Sequence, residues 1–382
     1  MPTLPPDKNP KVLFLFSDTG GGHRSAAEAI IEALNLEYPG HLNVSMVDVF
    51  REYAPPPLQK APELYSQLVR VPQAWGLGYH LIDGQRRAKL FTAGTWPYVR
   101  RNVRKLISQN PSDIIVSVHP LVIAPALRAL RSVGGDFPPF VTVVTDLVTT
   151  HVLWYHRRTD LCLVPTKIAY RKAIENGLKP NQVKVVGLPV ADRFCQPVGD
   201  KKALRDKLGW PKDIPIILLV GGGEGMGPLE PTAVSIDAAQ LPAALVIVTG
   251  RNKGLKAHLQ AHSWSCPTFI YGFVQNMPDF MHAADVIVTK AGPGTISEAF
   301  NSGLPMVLYS RLPGQEEGNV NYVTANGAGV WAPQPDQIVA TLRLWIEKPS
   351  ERQKAAQASQ SLAHPEAARK IAQILMVELG LA

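Results

Sequence analysis

The feature that most constrains this chain is a strand–loop–helix unit at residues 286–299, VIVTKAGPGTISEA. A short apolar run there precedes a loop of small residues, and the pattern predicts a buried strand and a helix beginning at about Gly294. Glycine lets a ligand approach the backbone, and the free N–H groups at a helix N-terminus attract anions. Glu298 lies about one turn into the helix, where its carboxylate can accept hydrogen bonds from a ribose diol beside a bound diphosphate. The unit therefore predicts a nucleotide site.

A second loop at residues 313–319, PGQEEGN, is dense in side chains that hydrogen-bond hydroxyl groups. A phosphate-binding loop, a ribose carboxylate and a hydroxyl-binding loop in series favour a site for a nucleotide sugar. One glycine-rich turn alone would be equally typical of any α/β domain. The specific interpretation depends on the two loops occurring together.

Strand and helix patterns alternate along most of the chain, and both halves begin in the same way. A strand at 11–17 leads into a glycine-rich loop at 18–23, and a strand at 215–220 leads into another at 221–228. A chain of 382 residues suits two domains. We therefore predict the α/β class, with two doubly wound, Rossmann-like domains facing a cleft.

The predicted boundary between the domains lies in the crossing between the two halves, so that the domains span residues 1–197 and 198–382. For the helical tail at 349–381, packing back on the first domain is one option.

Composition excludes several classes of protein. Hydrophobic residues make up 46% and charged residues 18%, which is typical of a globular chain rather than a disordered one. No apolar run approaches the ~20 residues of a spanning helix, and the N-terminus lacks the pattern of a signal peptide. Cys162, Cys195 and Cys266 are widely spaced, in neither a metal-binding pattern nor a disulfide framework. This usage is typical of a reducing cytosol.

The net charge of +8 is concentrated in residues 1–200, which contain 23 Lys and Arg against 16 Asp and Glu. Within them, the segment 54–105 interleaves aromatic and basic residues. Such a segment can dock on an anionic membrane, bind single-stranded nucleic acid, or form a solvated basic helix whose aromatics face the core. We expect an anionic membrane surface as the partner, and no nucleic acid. The residues expected to meet the membrane are Arg86, Arg87, Lys89, Trp96, Arg100 and Arg101.

His23 ends the first glycine-rich loop, which is neither GxGxxG nor a P-loop. A helix is predicted from about Arg24, and its dipole would keep the imidazole neutral and able to accept a proton. Capping or packing is an equally open role for this residue. Four more residues follow strand ends, where open α/β sheets bind ligands, and we expect them in the same cleft: His119, Asp146, His151 and Trp154.

Several segments together resemble the diacylglycerol glycosyltransferases of the monogalactosyldiacylglycerol synthase type. They are the opening motif at 17–29, SDTGGGHRSAAEA, an acceptor-side segment at 142–156, and donor motifs at 221–228, 289–299 and 312–319. The family shares the GT-B fold with the peptidoglycan glycosyltransferase that makes lipid II. The resemblance implies an inverting transfer of a hexose, galactose rather than glucose, from a UDP-sugar to the 3-hydroxyl of 1,2-diacylglycerol. It also implies that neither a metal nor another cofactor takes part.

The resemblance assigns the acceptor and membrane-docking role to residues 1–197 and the donor-binding role to residues 198–382. On the acceptor side, His23 would be the base or the acceptor-orienting residue, with Asp18 as a second catalytic residue. The residues expected to bind the acceptor are Gly22, His119, Asp146, His151 and Trp154.

On the donor side, the resemblance implies three groups of contacts. Around the diphosphate it places Gly223, Glu224, Gly225, Gly292, Gly294 and Thr295. Phe273 and Val274 would contact uracil, and Glu298 would contact the ribose. The sugar hydroxyls would be bound by Gln315, Glu316 and Asn319.

The residues themselves offer no obvious metal site, because the chain has no Asp-x-Asp pair and no His/Cys cluster. The charge of the leaving group would then be stabilised by helix N-termini and backbone N–H groups, with Arg251 or Lys290 as the candidate cation.

Four alternatives stay open. They are a GT-B transferase acting on another lipid, a UDP-sugar epimerase, a non-catalytic UDP-sugar sensor and, from the basic segment alone, a nucleic-acid binder. For the favoured function we expect a cytoplasmic protein that is peripheral on the inner face of the membrane.

Overall fold

In a computed structural model, the described residues are 9–68, 72–133, 137–196 and 199–381. They form two compact units. The first unit consists of Met1–Asp192, Pro313–Gln315 and Glu366–Ala382, and the second of Arg193–Leu312 and Glu316–Pro365. The boundary predicted between residues 197 and 198 lies outside the described residues.

The described part of the chain contains twelve strands and sixteen α-helices. The strands are β1 (Lys11–Phe16), β2 (Asn43–Asp48), β3 (Ile114–Ser117), β4 (Phe140–Val143), β5 (Leu161–Val164), β6 (Val183–Val185), β7 (Ile216–Val220), β8 (Ala244–Val248), β9 (Thr268–Tyr271), β10 (Val286–Lys290), β11 (Met306–Ser310) and β12 (Gly329–Trp331). The helices are α1 (Gly22–Glu37), α2 (Val49–Tyr53), α3 (Ala61–Leu68), α4 (Pro72–Ile82), α5 (Gln85–Gln109), α6 (Pro120–Val133), α7 (Lys167–Glu175), α8 (Lys201–Leu208), α9 (Leu229–Ala238), α10 (Lys253–Ala261), α11 (Met277–Ala283), α12 (Pro293–Asn301), α13 (Glu317–Ala325), α14 (Pro335–Glu347), α15 (Pro349–Ser361) and α16 (Ala367–Glu378).

The sheet of the first unit is parallel, with the strand order β2-β1-β3-β4-β5-β6. Strands β1, β3, β4 and β5 are apolar and almost wholly buried, as expected for a parallel sheet covered by helices on both faces. Because the chain builds outward from β1 to β2 and then returns to β3, the crossovers diverge between β1 and β3. Ligands of open α/β sheets bind at such a point, outside the carboxyl ends of the strands.

One face of this sheet packs against helices from both ends of the sequence. Phe14 of β1 lies in a buried cluster with Ile30 of α1 and with Ile371 and Leu375 of α16. The last helix therefore completes the core of the first unit, which explains why Glu366–Ala382 belongs to it.

The sheet of the second unit is also parallel, with the order β12-β11-β10-β7-β8-β9. Its crossovers diverge between β7 and β10. The glycine-rich loop that follows β7 and the small-residue loop that follows β10 therefore lie side by side at the carboxyl edge of the sheet.

Two features of the structure, strand β12 and the break in the helical tail, were not expected from the sequence. Strand β12 has no strong sequence signal, because it is only three residues long and begins with glycine. The helical tail at 349–381 is two helices, α15 and α16, separated at 362–366, where Pro365 cannot continue a helix. The basic segment 54–105 is mainly helical among its described residues and contributes no strand to the sheet.

Candidate active site

His23 lies at the point in the first unit where the crossovers diverge. Gly20 and Gly21 have φ angles of 86° and 76°, which side chains other than glycine rarely adopt, and they turn the chain from β1 into α1. The Nδ1 atom of His23 is 2.8 Å from Oγ1 of Thr145, which follows β4. Its ring is T-shaped to that of His119, which follows β3, with ring centroids 4.6 Å apart. Residues from three strand ends thus meet around one imidazole.

Both histidines are neutral at physiological pH. Burial lowers the pKa of His23 from 6.5 to about 4, and burial also lowers the pKa of His119 well below 6.5. The Leu121 N–H donates to Nδ1 of His119 at 3.3 Å, so the proton of the neutral ring is on Nε2, which donates to Oγ1 of Thr19 at 2.9 Å. The neutral state of His23 was expected from the helix dipole, but desolvation is the larger cause.

Asp18, which was predicted to be catalytic, is held by two arginine side chains. Its two carboxylate oxygens accept hydrogen bonds from Nε and Nη2 of Arg24, at 2.6 and 2.8 Å, and Arg51 lies 3.4 Å away. A carboxylate held by two guanidinium groups is poorly placed to take a proton from a substrate. These contacts fix the glycine-rich loop against α1, and the catalytic role of Asp18 remains a prediction.

Trp154 was predicted to contact the acceptor, but its side chain is 0% exposed. Its Nε1 atom donates to Oδ2 of Asp146 at 2.6 Å, and its ring centroid is 6.0 Å from that of His23. Asp146 also accepts a hydrogen bond of 3.2 Å from Nε2 of Gln315, which belongs to the first unit. Trp154 thus lies beneath the polar residues and orients Asp146.

His151 is likewise buried, and its predicted contact with the acceptor remains a prediction. Its Nδ1 atom accepts a hydrogen bond of 3.1 Å from the Leu153 N–H and caps the short 3₁₀ turn there, and its ring packs against Tyr79. Gly22 is exposed at the start of α1, and apart from its own helix and chain neighbours no atom of the described residues lies within 4 Å of the position that a Cβ would take. The surface beside Gly22 is therefore open to a ligand.

In the second unit, the two loops at the carboxyl edge have contrasting surroundings. Gly225 has a φ of 60°, and a Cβ there would come within 2.2 Å of the Thr249 carbonyl oxygen, so only glycine fits. Gly294, in the first turn of α12, has no atom of the described residues outside its own helix and chain neighbours within 4 Å of a Cβ position. The N-terminus of α12 is therefore open on the side of Gly294, whereas Lys290 lies against Gly292 in the same predicted phosphate-binding loop, which also contains Thr295.

Three of the predicted donor residues, Glu224, Arg251 and Phe273, lie together at the loop that follows β7. Nη1 of Arg251 is 2.9 Å from Oε1 of Glu224, and the guanidinium lies over the ring of Phe273, 4.6 Å from its centroid. Phe273 is 56% exposed, which is unusual for a large aromatic residue. The exposed ring, with Val274 beside it, offers a flat apolar surface of the kind on which a base can stack. Gly223 also borders this group, since its Cβ position is 3.4 Å from Nη1 of Arg251.

Glu298 is partly buried in α12, and burial raises its pKa from 4.5 to about 7. Within the described ranges, its carboxyl group has no hydrogen-bond or ion-pair partner that would offset this desolvation. The carboxyl group is thus poised between its two protonation states at physiological pH.

Glu316 and Asn319 are both about 2% exposed and act within the second unit as braces. The Glu316 carboxylate accepts from Nζ of Lys290 at 2.6 Å and from the Leu312 N–H at 2.8 Å. Nδ2 of Asn319 donates to the Ala291 carbonyl oxygen at 2.9 Å. Both residues thus fix the loop after β10, and their predicted contacts with sugar hydroxyls remain predictions.

Two site residues were missed by the sequence reasoning, Thr19 and Thr145, which hydrogen-bond the two histidines. Thr145 immediately precedes Asp146 at a strand end, so its position in the sequence was a usable signal.

Within the described ranges, no group of three or more His, Cys, Asp or Glu side chains is arranged to hold a metal ion.

The residues predicted to meet a membrane are divided between two environments. Arg86, Arg87, Lys89, Arg100 and Arg101 are all exposed on α5. Trp96 does not belong with them, because it is only 8% exposed and packs with Val103 and Ala129, under the guanidinium of Arg128. Exposed apolar side chains lie on the same helix instead, and Leu90 is 73% exposed.

We define the α5 cation face as Arg86, Lys89, Arg100, Arg101 and Arg104, which fall on one side of the helix at about 100° per residue. No helix in the described parts of the chain has both the length and the hydropathy required to cross a bilayer.

Comparison with known proteins matches each half of the chain to a family model. A family model described as "Monogalactosyldiacylglycerol (MGDG) synthase" matches residues 23–190, and one described as "Glycosyltransferase family 28 C-terminal domain" matches residues 216–373. The probable chloroplastic monogalactosyldiacylglycerol synthase of Glycine max is 40% identical over 374 residues, covering 96% of this chain and 71% of the relative. Monogalactosyldiacylglycerol synthase 1 of Arabidopsis thaliana is 39% identical, covering 96% of this chain and 70% of the relative.

Solved structures with the same fold include MurG of Acinetobacter baumannii, with a TM-score of 0.61, 16% identity and coverage of 96% of this chain and 100% of that one. The MnaA–UDP complex of S. aureus has a TM-score of 0.65 at 15% identity, with 98% of each chain covered. At this identity the likeness concerns the fold alone, and it confirms the predicted class of two doubly wound α/β domains. With relatives at about 40% identity across nearly its whole length, the chain belongs to the monogalactosyldiacylglycerol synthase family of GT-B glycosyltransferases.

Proposed function

We propose that the protein transfers galactose from UDP-galactose to the 3-hydroxyl of 1,2-diacylglycerol, with inversion to a β-galactosyl lipid. The observation that carries this proposal is the open N-terminus of α12 beside Glu298, in a chain about 40% identical to named monogalactosyldiacylglycerol synthases. Amide groups at that N-terminus would bind the diphosphate, Glu298 the ribose and Phe273 the uracil.

The reaction is a single displacement at the anomeric carbon. An oxygen lone pair of the glycerol hydroxyl forms the new C–O bond while the bond from the anomeric carbon to the β-phosphate oxygen breaks, and its electron pair leaves with UDP. The hydroxyl proton must go to a base, and His23 is the proposed acceptor, because burial keeps its ring neutral. The UDP leaving group is stabilised by fixed N–H donors, which do not have to reorganise as negative charge develops.

Turnover with lipid separates this proposal from its rivals. We expect UDP release and a hexosyl-diacylglycerol, identified by mass spectrometry, when the protein is incubated with UDP-galactose and diacylglycerol vesicles, and less product with UDP-glucose. Other lipid acceptors, a C2-epimerised nucleotide sugar, or tight UDP-sugar binding without turnover would instead indicate another transferase, an epimerase or a sensor.

Replacing the proposed base should affect chemistry and leave donor binding intact. We expect His23→Ala to lower kcat by about 10²- to 10⁴-fold, the usual contribution of general-base catalysis, with the Kd for UDP unchanged by calorimetry. His41→Ala, an exposed histidine of the same unit, is the matched control and should retain full activity. Near-normal turnover of His23→Ala would refute the assignment.

The raised pKa of Glu298 predicts that donor binding depends on pH. Ribose hydroxyls that donate to the carboxylate would lower its pKa on binding, so affinity should be highest above pH 7, the pKa in the unbound protein. As the pH falls through 7, affinity should fall by up to about tenfold per pH unit. UDP-galactose suits this titration because its diphosphate diester does not titrate in this range. Glu298→Gln should remove the dependence, and a flat profile for the natural chain would exclude the ribose contact.

We also propose that the protein is peripheral on the inner, cytoplasmic face of a membrane, with the α5 cation face against anionic headgroups. Among the described residues, Cys162, Cys195 and Cys266 form no disulfide, which is usual in a reducing compartment. Exposed Leu77 and Leu81 on α4 and Leu90 on α5 supply apolar side chains near the cations, a combination that suits the lipid–water interface.

Charge reversal on α5 tests this docking. Lys89→Glu, Arg100→Glu and Arg101→Glu together should weaken binding to vesicles containing anionic lipid by at least about tenfold, because each surface cation contributes roughly 1 kcal/mol. Binding to phosphatidylcholine alone should hardly change. Lys348→Glu, Lys354→Glu and Lys370→Glu make the same change in net charge at other exposed positions. Equal losses for the two triple variants would exclude a specific role for α5.

A further inference from the structure

Lys290 lies at the end of β10, between the two glycine-containing loops of the second unit. A Cβ on Gly292 would be 3.0 Å from Nζ of Lys290, and a Cβ on Gly222 would be 3.4 Å from its Cε. The lysine side chain therefore runs along the crevice between the loop that follows β7 and the loop that follows β10. This crevice is the point at which the crossovers of the second sheet diverge.

The chain has two candidate cations here, and their surroundings differ. The Arg251 side chain is 55% exposed and its partner Glu224 is 35% exposed, so water screens that pair. The Lys290 side chain is 16% exposed, and the side chain of its partner Glu316 is 3% exposed. An ion pair held this far from water keeps a fixed geometry. The ammonium charge of Lys290 therefore acts on a nearby anion at a lower effective dielectric.

Glu316 accepts from one of the three N–H donors of the Lys290 ammonium group, and within the described residues the other two donate to no partner. Its other oxygen is held by the Leu312 N–H, so the carboxylate cannot rotate freely. Glu316 thereby orients the ammonium group, and it balances the positive charge while no anion is bound. A second anion arriving at the crevice would find N–H donors already directed by this carboxylate.

We propose that Lys290 binds the diphosphate of the donor and stabilises the charge of departing UDP, and that Glu316 is a positioning residue that holds it there. This proposal rests on the function assigned to the second unit above. It predicts that Lys290 contributes to affinity through the phosphates alone, and not through the nucleoside.

The test compares uridine, UMP and UDP binding to the full chain by calorimetry. For the natural chain, affinity should increase from uridine to UDP. Lys290→Met should weaken UDP binding by about 10- to 100-fold, the usual range for a hydrogen bond with a charged partner, and leave uridine binding unchanged. Lys354→Met, an exposed lysine of the same unit, removes the same charge elsewhere and should have no effect.

Lys290→Met leaves the Glu316 carboxylate without its counter-ion, which can prevent folding. The double variant Lys290→Met/Glu316→Gln removes both charges, and uridine binding reports whether it is folded. In a variant whose circular dichroism spectrum matches that of the natural chain, an equal loss for uridine and UDP, or no loss for either, would overturn the proposal. Absence of UDP binding to the natural chain would instead contradict the proposed function itself.

Discussion

Burial of both faces of two parallel sheets is the constraint on which the rest of this structure depends. A parallel strand cannot turn directly into its neighbour, so each strand must be followed by a loop at its carboxyl end and a helical crossover. The apolar strands β1 and β7 begin the two sheets, and in both sheets the crossovers diverge beside the starting strand. The loops there are held at their bases by buried strands while their tips remain available for polar groups.

The same desolvation acts in opposite directions on the two kinds of titratable group at these edges. It lowers the pKa of the basic side chain His23 and raises that of the acidic side chain Glu298, because in both cases the charged form is disfavoured. His23 is left neutral and able to accept a proton, and Glu298 responds to any ligand that donates hydrogen bonds to it. Burial is therefore the main cause of the protonation state of both groups.

The sequence was sufficient for the fold class and for the positions of the glycine loops, because apolar strand runs and glycine turns are local signals. It was insufficient for burial at the strand ends. Trp154 and His151 follow a strand and are polar or amphipathic, yet both point into the core, and nothing local distinguishes them from His23. Trp96 lies among cations in the sequence but faces α6 in the structure. Such errors arise because side-chain direction in these segments is decided by packing partners that are distant in sequence.

The contacts of Glu316 also depend on partners that its local sequence does not indicate. Its place in a loop rich in hydroxyl-binding side chains favours contact with a sugar, whereas the structure gives its carboxylate to Lys290 and to a backbone amide. In the proposed donor site, the Lys290 ammonium and the Glu316 carboxylate therefore balance each other's charge while no anion is bound. The exposed cations of α5 lie outside this ion pair, and their broad and weakly specific attraction suits the anionic surface proposed above.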